Sequence, residues 1–242
     1  MIELKGITKK YGDFRAVDNL NLTVARGEIF GFLGPNGAGK TTTIKMMAGV
    51  LEPSAGSVTI GGIDMLKQPE AAKRKIGFIP DRPYLYEKLT GMEFLKFTAD
   101  LYGVPDAMYR KKAQKNLEMF SLADWADELI ESYSHGMKQR LIMSAALLHD
   151  PDIIIVDEPM VGLDPAAIIL VKELFQRLAC NGVSVFMSTH TLAIAAETCD
   201  RVGIIHRGRL IASGTTADLQ NEANVTDADL EKVFLNLTNT AN

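Results

Sequence analysis

The sequence predicts an α/β protein built around a mostly parallel sheet with flanking helices. Apolar runs of strand length recur along the chain: IFGFL from Ile29, IGFIP from Ile76, IIIV from Ile153, VSVFMS from Val183 and VGIIH from Val202. Continuous apolar runs are typical of strands that are covered on both faces. Helical patterns separate several of these runs, and strands that alternate with helices favour a parallel sheet covered by helices.

Composition sets limits on the class of protein. The 242 residues include 47% apolar and 23% charged side chains, and 30 acidic against 26 basic residues give a formal net charge of −4. We therefore expect a soluble globular chain, and no nucleic-acid partner, because such a partner usually requires a basic excess. The start MIELKGITKK lacks the apolar stretch of a secretory signal. No apolar run approaches the ~20 residues of a membrane-spanning helix.

We expect Cys180 and Cys199 to be buried packing residues in a reducing, cytosolic setting.

The first 30 residues are predicted to be strands. Leu20, Leu22 and Val24 alternate with polar residues, which indicates a half-exposed strand. The segment ITKKYGDF before them reads as another strand that ends in a turn. After the glycine-rich loop that begins at Gly34, TTTIKMMAGVL suits a helix and SVTIGG a short strand.

The middle of the chain, residues 83–149, has a helical pattern. Thr90 and Glu93 form a capping box that opens the first helix, a second stretch covers 108–119, and a third begins near Ser134. We therefore predict a helical insert of roughly 65 residues in one domain of 242 residues. The core and its strands would comprise 1–82 and 150–225, and the tail 226–242. In that tail Thr226 and Asp229 are predicted to cap a short helix with an apolar face of Leu230, Val233, Phe234 and Leu237.

The strongest chemical signal is the loop GPNGAGKTT at 34–42, which lies between a buried strand and a helix. It matches the phosphate-loop pattern G-x-x-x-x-G-K-[ST], in which backbone N–H groups and the helix N-terminus face the phosphates. Lys40 supplies a point charge for the β- and γ-phosphates, and Thr41 a hydroxyl for Mg²⁺. We predict ATP binding by Asn36, Gly37, Ala38, Gly39, Lys40, Thr41 and Thr42.

Two adjacent carboxylates, Asp157 and Glu158, end the buried strand IIIV. On a parallel sheet they would emerge at the carboxyl edge, where ligands of open α/β sheets bind. Asp157 suits a role in the second coordination sphere of Mg²⁺, which leaves Glu158 free to act as general base toward water. His190 follows another apolar strand and would reach the same edge, although a lone histidine is more often a packing or surface residue.

Together these residues resemble the ATP-binding cassette (ABC) ATPase family over essentially the whole chain. SYSHGMKQR resembles its signature sequence, with Ser134, His135 and Gly136 heading a helix, and VGLDP resembles its D-loop, with Asp164. STH resembles its histidine switch, at His190. The resemblance implies a P-loop NTPase core with an N-terminal antiparallel β subdomain and an inserted helical subdomain.

The resemblance also implies a site shared between two subunits, homologous or identical, that pair head to tail. Ser134 and the backbone of Gly136 would contact the γ-phosphate bound by the other subunit, although Ser134 can equally be a plain helix N-cap. His190 would contact the γ-phosphate and help to hold the attacking water. Tyr11 lies where the family places an aromatic that stacks on adenine; the alternative is an ordinary core tyrosine.

This chain departs from the usual family pattern at two places. Asp81 replaces the usual glutamine after IGFIP, so that a charged and shorter side chain stands where a neutral amide meets Mg²⁺; we include Asp81 among the candidate metal ligands. The signature carries His135 and Met137 in place of a glycine and a glutamine. Both variations, and the C-terminal LEKVFLNLT, look like the branch that energises bacterial export through separate membrane subunits.

The leading hypothesis is therefore an ATP-hydrolysing subunit that uses ATP and Mg²⁺ to energise transport through a separate integral membrane permease. The resemblance implies that the direction of this transport is export. The chain would be cytoplasmic and peripheral on the inner face of the cell membrane. The expected docking surface is the insert near 83–103, where PYLYEKL offers apolar and aromatic side chains that could equally belong to a core. The alternative is a soluble ABC ATPase in cofactor assembly or another non-transport process. A small-molecule kinase or GTPase is disfavoured because no N-K-x-D sequence follows the loop and the signature would be unexplained.

Overall fold

The chain folds into β-strands, which form two sheets, and α-helices. The computed structural model describes residues 1–82, 84–222 and 230–240. In chain order the strands of this part are β1 Ile2–Tyr11, β2 Phe14–Val24, β3 Ile29–Leu33, β4 Ala55–Ile60, β5 Ile63–Asp64, β6 Ile76–Ile79, β7 Ile153–Asp157, β8 Ser184–Thr189, β9 Arg201–His206 and β10 Arg209–Gly214. The α-helices are α1 Lys40–Met47, α2 Pro69–Lys73, α3 Gly91–Leu101, α4 Asp106–Met119, α5 His135–Ala146, α6 Pro165–Cys180, α7 Leu192–Thr198, α8 Thr216–Glu222 and α9 Leu230–Thr240.

The first sheet is antiparallel and has the strand order β2-β1-β4-β5. In β2 the predicted alternation is present: Leu20, Leu22 and Val24 are buried, and the residues between them are exposed. One face of this strand therefore packs on the core while the other faces solvent, as the period of two requires. The β1–β2 turn places Tyr11 opposite Phe14, next to the second sheet's phosphate-loop edge.

Within the described residues the second sheet has six strands in the order β10-β9-β3-β8-β7-β6, and of their pairings only β9–β10 is antiparallel. Every residue of β3, β7 and β8 is buried, which explains their continuous apolar sequences. Leu33 pairs with Thr189, and Asp157 pairs with Ser188. The carboxyl ends of β3, β7 and β8 therefore meet at one edge, and the prediction of a mostly parallel sheet is confirmed.

Three helices, α3, α4 and α5, lie in the middle of the chain as predicted, with two short 3₁₀ turns at Ala123–Trp125 and Ile130–Ser132 between α4 and α5. The capping box of α3 is present: the Glu93 N–H donates to Thr90 Oγ1 (3.1 Å) and the Thr90 N–H to Glu93 Oε2 (2.8 Å). Ser134 caps α5 by accepting from the Met137 N–H (3.3 Å). The division into core, insert and tail stays a prediction.

At the C-terminal end, α9 packs against β10 of the second sheet and against α7 and α8. Val233 is buried, and Phe234 and Leu237 pack against the same apolar cluster, as the helical spacing predicts. Thr226 and Asp229, the predicted capping pair, lie outside the described residues, as does the side chain of Leu230.

The prediction that both cysteines are buried is wrong for Cys180, which is exposed at the last position of α6. The buried face of α6 carries Val171, Leu174 and Phe175. Cys180 lies roughly 140° around the helix from Phe175 at 100° per residue, so it points away from that face. Cys199 is half-buried, and burial raises the pKa of its thiol to about 12.

No helix in the described ranges is both long enough and apolar enough to cross a membrane.

Candidate active site

A cavity of about 400 Å³ opens at the carboxyl edge of the second sheet, beside the turn between β1 and β2. This volume is in the range of small-molecule sites. Ten of its twelve lining residues were predicted from the sequence, and Phe14 and Ala16 were not. The full set is Tyr11, Phe14, Ala16, Asn36, Gly37, Gly39, Lys40, Thr41, Thr42, Asp81, Asp157 and Glu158.

The phosphate loop depends on glycine at two positions that line the cavity. Gly37 and Gly39 have φ values of +79° and +111°, in the left-handed region that favours glycine. At Gly39 a Cβ would also lie 2.5 Å from the carbonyl oxygen of Ala16. Ala38 between them is buried and does not line the cavity, and its N–H donates to the Pro35 carbonyl (3.1 Å). Its predicted contact with ATP stays a prediction.

Lys40, the first residue of α1, is anchored inside the loop. Its side chain is buried, and Nζ donates to the carbonyl oxygens of Gly34 (2.6 Å) and Pro35 (3.2 Å). Burial lowers the pKa of Lys40, while the nearby charges of Glu158 and Asp157 oppose that shift. Burial therefore disfavours the charged form of this ammonium, and an anion bound in the loop would favour it.

Asp157 is held between two hydroxyl groups. Thr41 Oγ1 donates to its Oδ2 (3.1 Å), and Ser188 Oγ donates to its Oδ1. Burial raises the pKa of Asp157, the two hydrogen bonds lower it, and the charges of Glu158 and Asp81 raise it again. Hydroxyl and carboxylate oxygens are the donors that Mg²⁺ prefers, so Thr41 and Asp157 fit such an ion.

Ser188 was missed by sequence reasoning. Its side chain is buried in β8, and it reaches Asp157 because β7 and β8 are neighbours in the sheet. The sequence VFMSTH placed His190 beyond a strand but gave no indication of which strand lies beside it. Predicting the contact between Ser188 and Asp157 would have required the order of the strands in the sheet.

Glu158 lines the cavity and forms a hydrogen-bonded pair with His190, which is not one of the lining residues. The ring Nδ1 of His190 lies 2.8 Å from Glu158 Oε1, and the carboxylate accepts from the ring N–H. Glu158 has a φ of +51°, which is uncommon for a residue with a Cβ, and its own N–H donates to the Ser188 carbonyl (3.0 Å). The side chain of Glu158 is 15% exposed and that of His190 60%. The turn after β7 therefore aims a carboxylate at the cavity, and His190 orients it.

Two further predicted residues line the same cavity at its other walls. Asp81 follows β6 and is close enough for its charge to raise the pKa of Asp157. Tyr11 is 51% exposed, so the alternative of an ordinary core tyrosine is wrong. Phe14, its cross-strand partner, is 65% exposed and adds a second aromatic surface. Exposed aromatic rings beside a phosphate loop provide a stacking surface for a base.

The predicted signature and D-loop residues lie outside this cavity. Ser134, His135 and Gly136 begin α5, and Asp164 caps α6 by accepting from the Ala167 N–H (2.9 Å). The structure brings the start of α5 close to the D-loop, because a Cβ on Gly136 would lie 3.1 Å from the Gly162 carbonyl oxygen. Within one chain the start of α5 therefore lies against Gly162 and not in this cavity.

Comparison with known proteins gives consistent matches. The family model described as ABC transporter matches residues 17–161. The chain is 39% identical over 244 residues to the probable multidrug ABC transporter ATP-binding protein YbhF of Escherichia coli (strain K12), covering 98% of this chain and 41% of YbhF. The chain thus spans less than half the length of that relative.

Solved structures agree with the fold. A structure described as the ATP-binding subunit of an ABC transporter superposes with a TM-score of 0.94 at 35% identity and covers 98% of this chain and 99% of its own. A dimeric ATP-binding cassette in a post-hydrolysis state, bound to ADP and Pi, superposes with a TM-score of 0.79 at 28% identity, covering 89% and 98%. These matches confirm the predicted fold class.

Proposed function

Because the chain belongs to the ABC transporter family, as an ATP-binding and ATP-hydrolysing subunit, we propose that it energises export through a separate membrane-spanning subunit. The observation that carries the proposal is the convergence of Lys40, Thr41, Asp157 and Glu158 on one cavity, with His190 bonded to Glu158. The name of the relative YbhF, a probable multidrug transporter protein, favours export over import.

The chemistry assigns each of these side chains a separate task. The loop N–H groups and Lys40 bind the β- and γ-phosphates of ATP, while Tyr11 and Phe14 offer their rings to the base. Thr41 and Asp157 would hold Mg²⁺, with Asp81 as a further oxygen donor, and the ion neutralises charge on the phosphates when bound. Glu158 accepts a proton from the water that attacks the γ-phosphorus, and ADP leaves with the β–γ bridging oxygen. His190 holds the carboxylate in place, and we expect its ring to reach the γ-phosphate when ATP is bound.

Ser188→Ala tests the metal assignment. Loss of the Ser188 hydrogen bond removes an interaction that lowers the pKa of Asp157, so the pKa rises and a larger fraction of the carboxyl is protonated at a given pH. We expect the Mg²⁺ concentration for half-maximal hydrolysis to rise roughly tenfold, as for other partners of metal-binding carboxylates. The effect should grow as the pH falls.

The measurement is steady-state ATPase activity against Mg²⁺ concentration at two pH values. Ser184→Ala is the matched control, because Ser184 is buried on the same strand but donates to the Ala25 carbonyl. An unchanged Mg²⁺ requirement in Ser188→Ala would remove Asp157 from the metal site.

The complete site is proposed to be a head-to-tail dimer, of two copies or of this chain and a close homologue. Ser134 and Gly136 begin α5 outside the cavity of their own chain, where a helix N-terminus offers unpaired N–H groups and a positive dipole end. Placed against the γ-phosphate of the other subunit, they complete its anion site, with His135 and Asp164 beside the subunit boundary. A dimeric cassette is among the structural matches.

The proposed docking surface for the membrane subunit comprises Tyr84, Tyr86, Phe97 and Leu101. These side chains are 93%, 54%, 39% and 66% exposed. A core role is therefore wrong for the two tyrosines, whereas Leu85 and Leu89 of the same segment do pack against the apolar core. Tyr86 and Phe97 contact edge to face with their centroids 5.4 Å apart, and the surface lies shortly after Asp81 in the chain. In the proposed division of the chain, the insert comprises 83–149, the core 1–82 and 150–225, and the tail 226–242. When the site closes around ATP, the insert would move as a rigid body against the core, and this motion would carry the docking surface that follows Asp81.

Docking is tested by detergent pull-down of the tagged chain from membranes of its native cell. We expect a multi-spanning protein to co-purify, and Tyr84→Ser combined with Phe97→Ser to lose it, because exposed aromatics supply much of an interface's energy. Val50→Ser, also at an exposed apolar residue, should retain it. Absence of a multi-spanning protein with the unaltered chain would contradict peripheral attachment to the inner face of the membrane and favour a soluble, non-transport ATPase.

A further inference from the structure

The backbone of Gly162 lies against the imidazole ring of His135. Gly162 has a φ of +77°, and a Cβ at that position would lie 2.5 Å from His135 Nδ1 and 2.9 Å from its Cε1. The neighbouring Gly136 makes room for the same segment, since its Cβ would lie 3.1 Å from the Gly162 carbonyl oxygen. Residues 158–164, the D-loop segment, therefore cross the first turn of α5 in close contact.

The D-loop segment joins the hydrolytic carboxylate to α6. It begins at Glu158, which is held by His190, and it ends at Asp164, which caps α6. Between these ends it has its own turn bonds, from the Val161 N–H to the Glu158 carbonyl (3.3 Å) and from the Leu163 N–H to the Met160 carbonyl (3.4 Å). Both ends are fixed by side chains, and the middle is fixed by its contact with α5.

We propose that His135 is a positioning residue that holds the D-loop segment in place and thereby sets the position of Glu158. This rests on the proposed function, in which Glu158 accepts the proton of the attacking water. The ring does not line the ATP cavity of its own chain, so it acts on Glu158 through the loop and not through the phosphates bound there. In the proposed dimer the start of α5 faces the partner's ATP. The contact would therefore couple the seating of that ATP to the position of this chain's own Glu158.

The contact between His135 and Gly162 depends on the size of both residues. A side chain at Gly162 would be strained by the positive φ and would collide with the ring, so the close approach requires glycine. A side chain smaller than histidine at 135 would leave the loop without its packing surface, because atoms across a gap lose their dispersion contacts. His135 is otherwise exposed to solvent, so its replacement leaves the apolar core unchanged.

The first test is His135→Ala, with kcat and KM for ATP measured at saturating Mg²⁺. We expect kcat to fall about three- to tenfold and KM to stay within about twofold, since a displaced catalytic group lowers the rate of the chemical step but leaves ATP binding intact. His135→Phe restores a planar ring and should recover at least about half of the lost rate. Met108→Ala, an exposed first-turn residue of α4, should change neither constant.

The second test is a double-mutant cycle between positions 135 and 162. Gly162→Ala introduces both backbone strain and a collision with the ring, whereas in the His135→Ala background only the strain remains. We therefore expect Gly162→Ala to lower kcat by a larger factor in the original chain than in His135→Ala. Thermal unfolding of each variant separates loss of fold from loss of rate.

Three results would overturn the inference: an unchanged kcat in His135→Ala, a His135→Phe variant as slow as the alanine variant, or strictly additive effects in the cycle. Failure of the proposed function has a different outcome, because the original chain would then hydrolyse no ATP, or Glu158→Gln would hydrolyse it at the normal rate. Activity that depends on Glu158 but is insensitive to position 135 would contradict only the role of His135.

Discussion

Replacing Glu158 with glutamine is expected to lower steady-state ATP hydrolysis by about 10³-fold while ATP still binds, since a general base typically contributes 10²- to 10⁴-fold. Glutamine has nearly the same shape as glutamate, and its amide oxygen still accepts the 2.8 Å hydrogen bond from His190. What it lacks is the capacity to take a proton from water. Because the cavity keeps Lys40, Thr41 and Asp157, the affinity for ATP should remain.

The measurement combines an ATPase assay with size-exclusion chromatography in the presence of ATP and Mg²⁺, which separates monomer from dimer. A subunit that binds ATP but does not hydrolyse it should accumulate as the proposed ATP-bound dimer, whereas the original chain returns to monomer after turnover. Glu173→Gln is the matched control, because Glu173 is exposed on α6 and undergoes the same chemical change. Hydrolysis by Glu158→Gln within a few-fold of the original rate would show that Glu158 is not the base.

Much of the site could be predicted because local sequence and the geometry of parallel strands fix it together. Continuous apolar runs beginning at Ile29 and Ile153 identify buried strands, and the residues that follow each run must emerge at one edge. Gly34, Glu158 and His190 each follow directly on such a strand. Their placement at one edge follows from strand direction, whereas their proximity depends on β3, β8 and β7 being neighbours in the sheet.

The residues that were missed depend on which elements are neighbours. Ser188 contacts Asp157 only because β8 pairs with β7, and the order of strands in a sheet is not written in any one strand. Phe14 joins the cavity because the β1–β2 register sets it opposite Tyr11. The contact of His135 with Gly162 joins segments 27 positions apart in the numbering (162 − 135 = 27), one on a helix and one on a loop. Local pattern carries none of this information.

Cys180 was mispredicted for a different reason. The expectation rested on the average behaviour of free cysteine, which is usually buried. The apolar face of α6, with Val171, Leu174 and Phe175, instead places position 180 on the opposite side of the helix. The position of Cys180 relative to the apolar face of the helix could have been read from the sequence. It is the better guide, because the side of the helix on which a residue lies decides its burial more than its residue type does.

The second large effect is expected from Lys40→Ala, which should weaken ATP binding by at least about tenfold. A hydrogen bond to a charged group contributes about 1.5 to 3 kcal/mol, and each 1.4 kcal/mol is a factor of ten in Kd. The ammonium of Lys40 is buried at the base of the loop, where its pKa is lowered by burial, and an adjacent anion would favour the charged form. Alanine removes that charge and leaves the phosphates to the backbone N–H groups alone.

Calorimetric titration with ATP and Mg²⁺ measures this loss directly, and it requires a control for the loop itself. Lys40 Nζ donates to the carbonyl oxygens of Gly34 and Pro35, so its removal also takes two internal bonds from the loop. Lys45→Ala removes the same charge from the exposed side of the same helix and should bind ATP normally. Thermal unfolding without nucleotide then separates a loosened loop from a lost phosphate contact. Equal ATP affinity in Lys40→Ala and the original chain would contradict the assignment of 34–42 as the phosphate loop, because no other buried ammonium lines the described cavity.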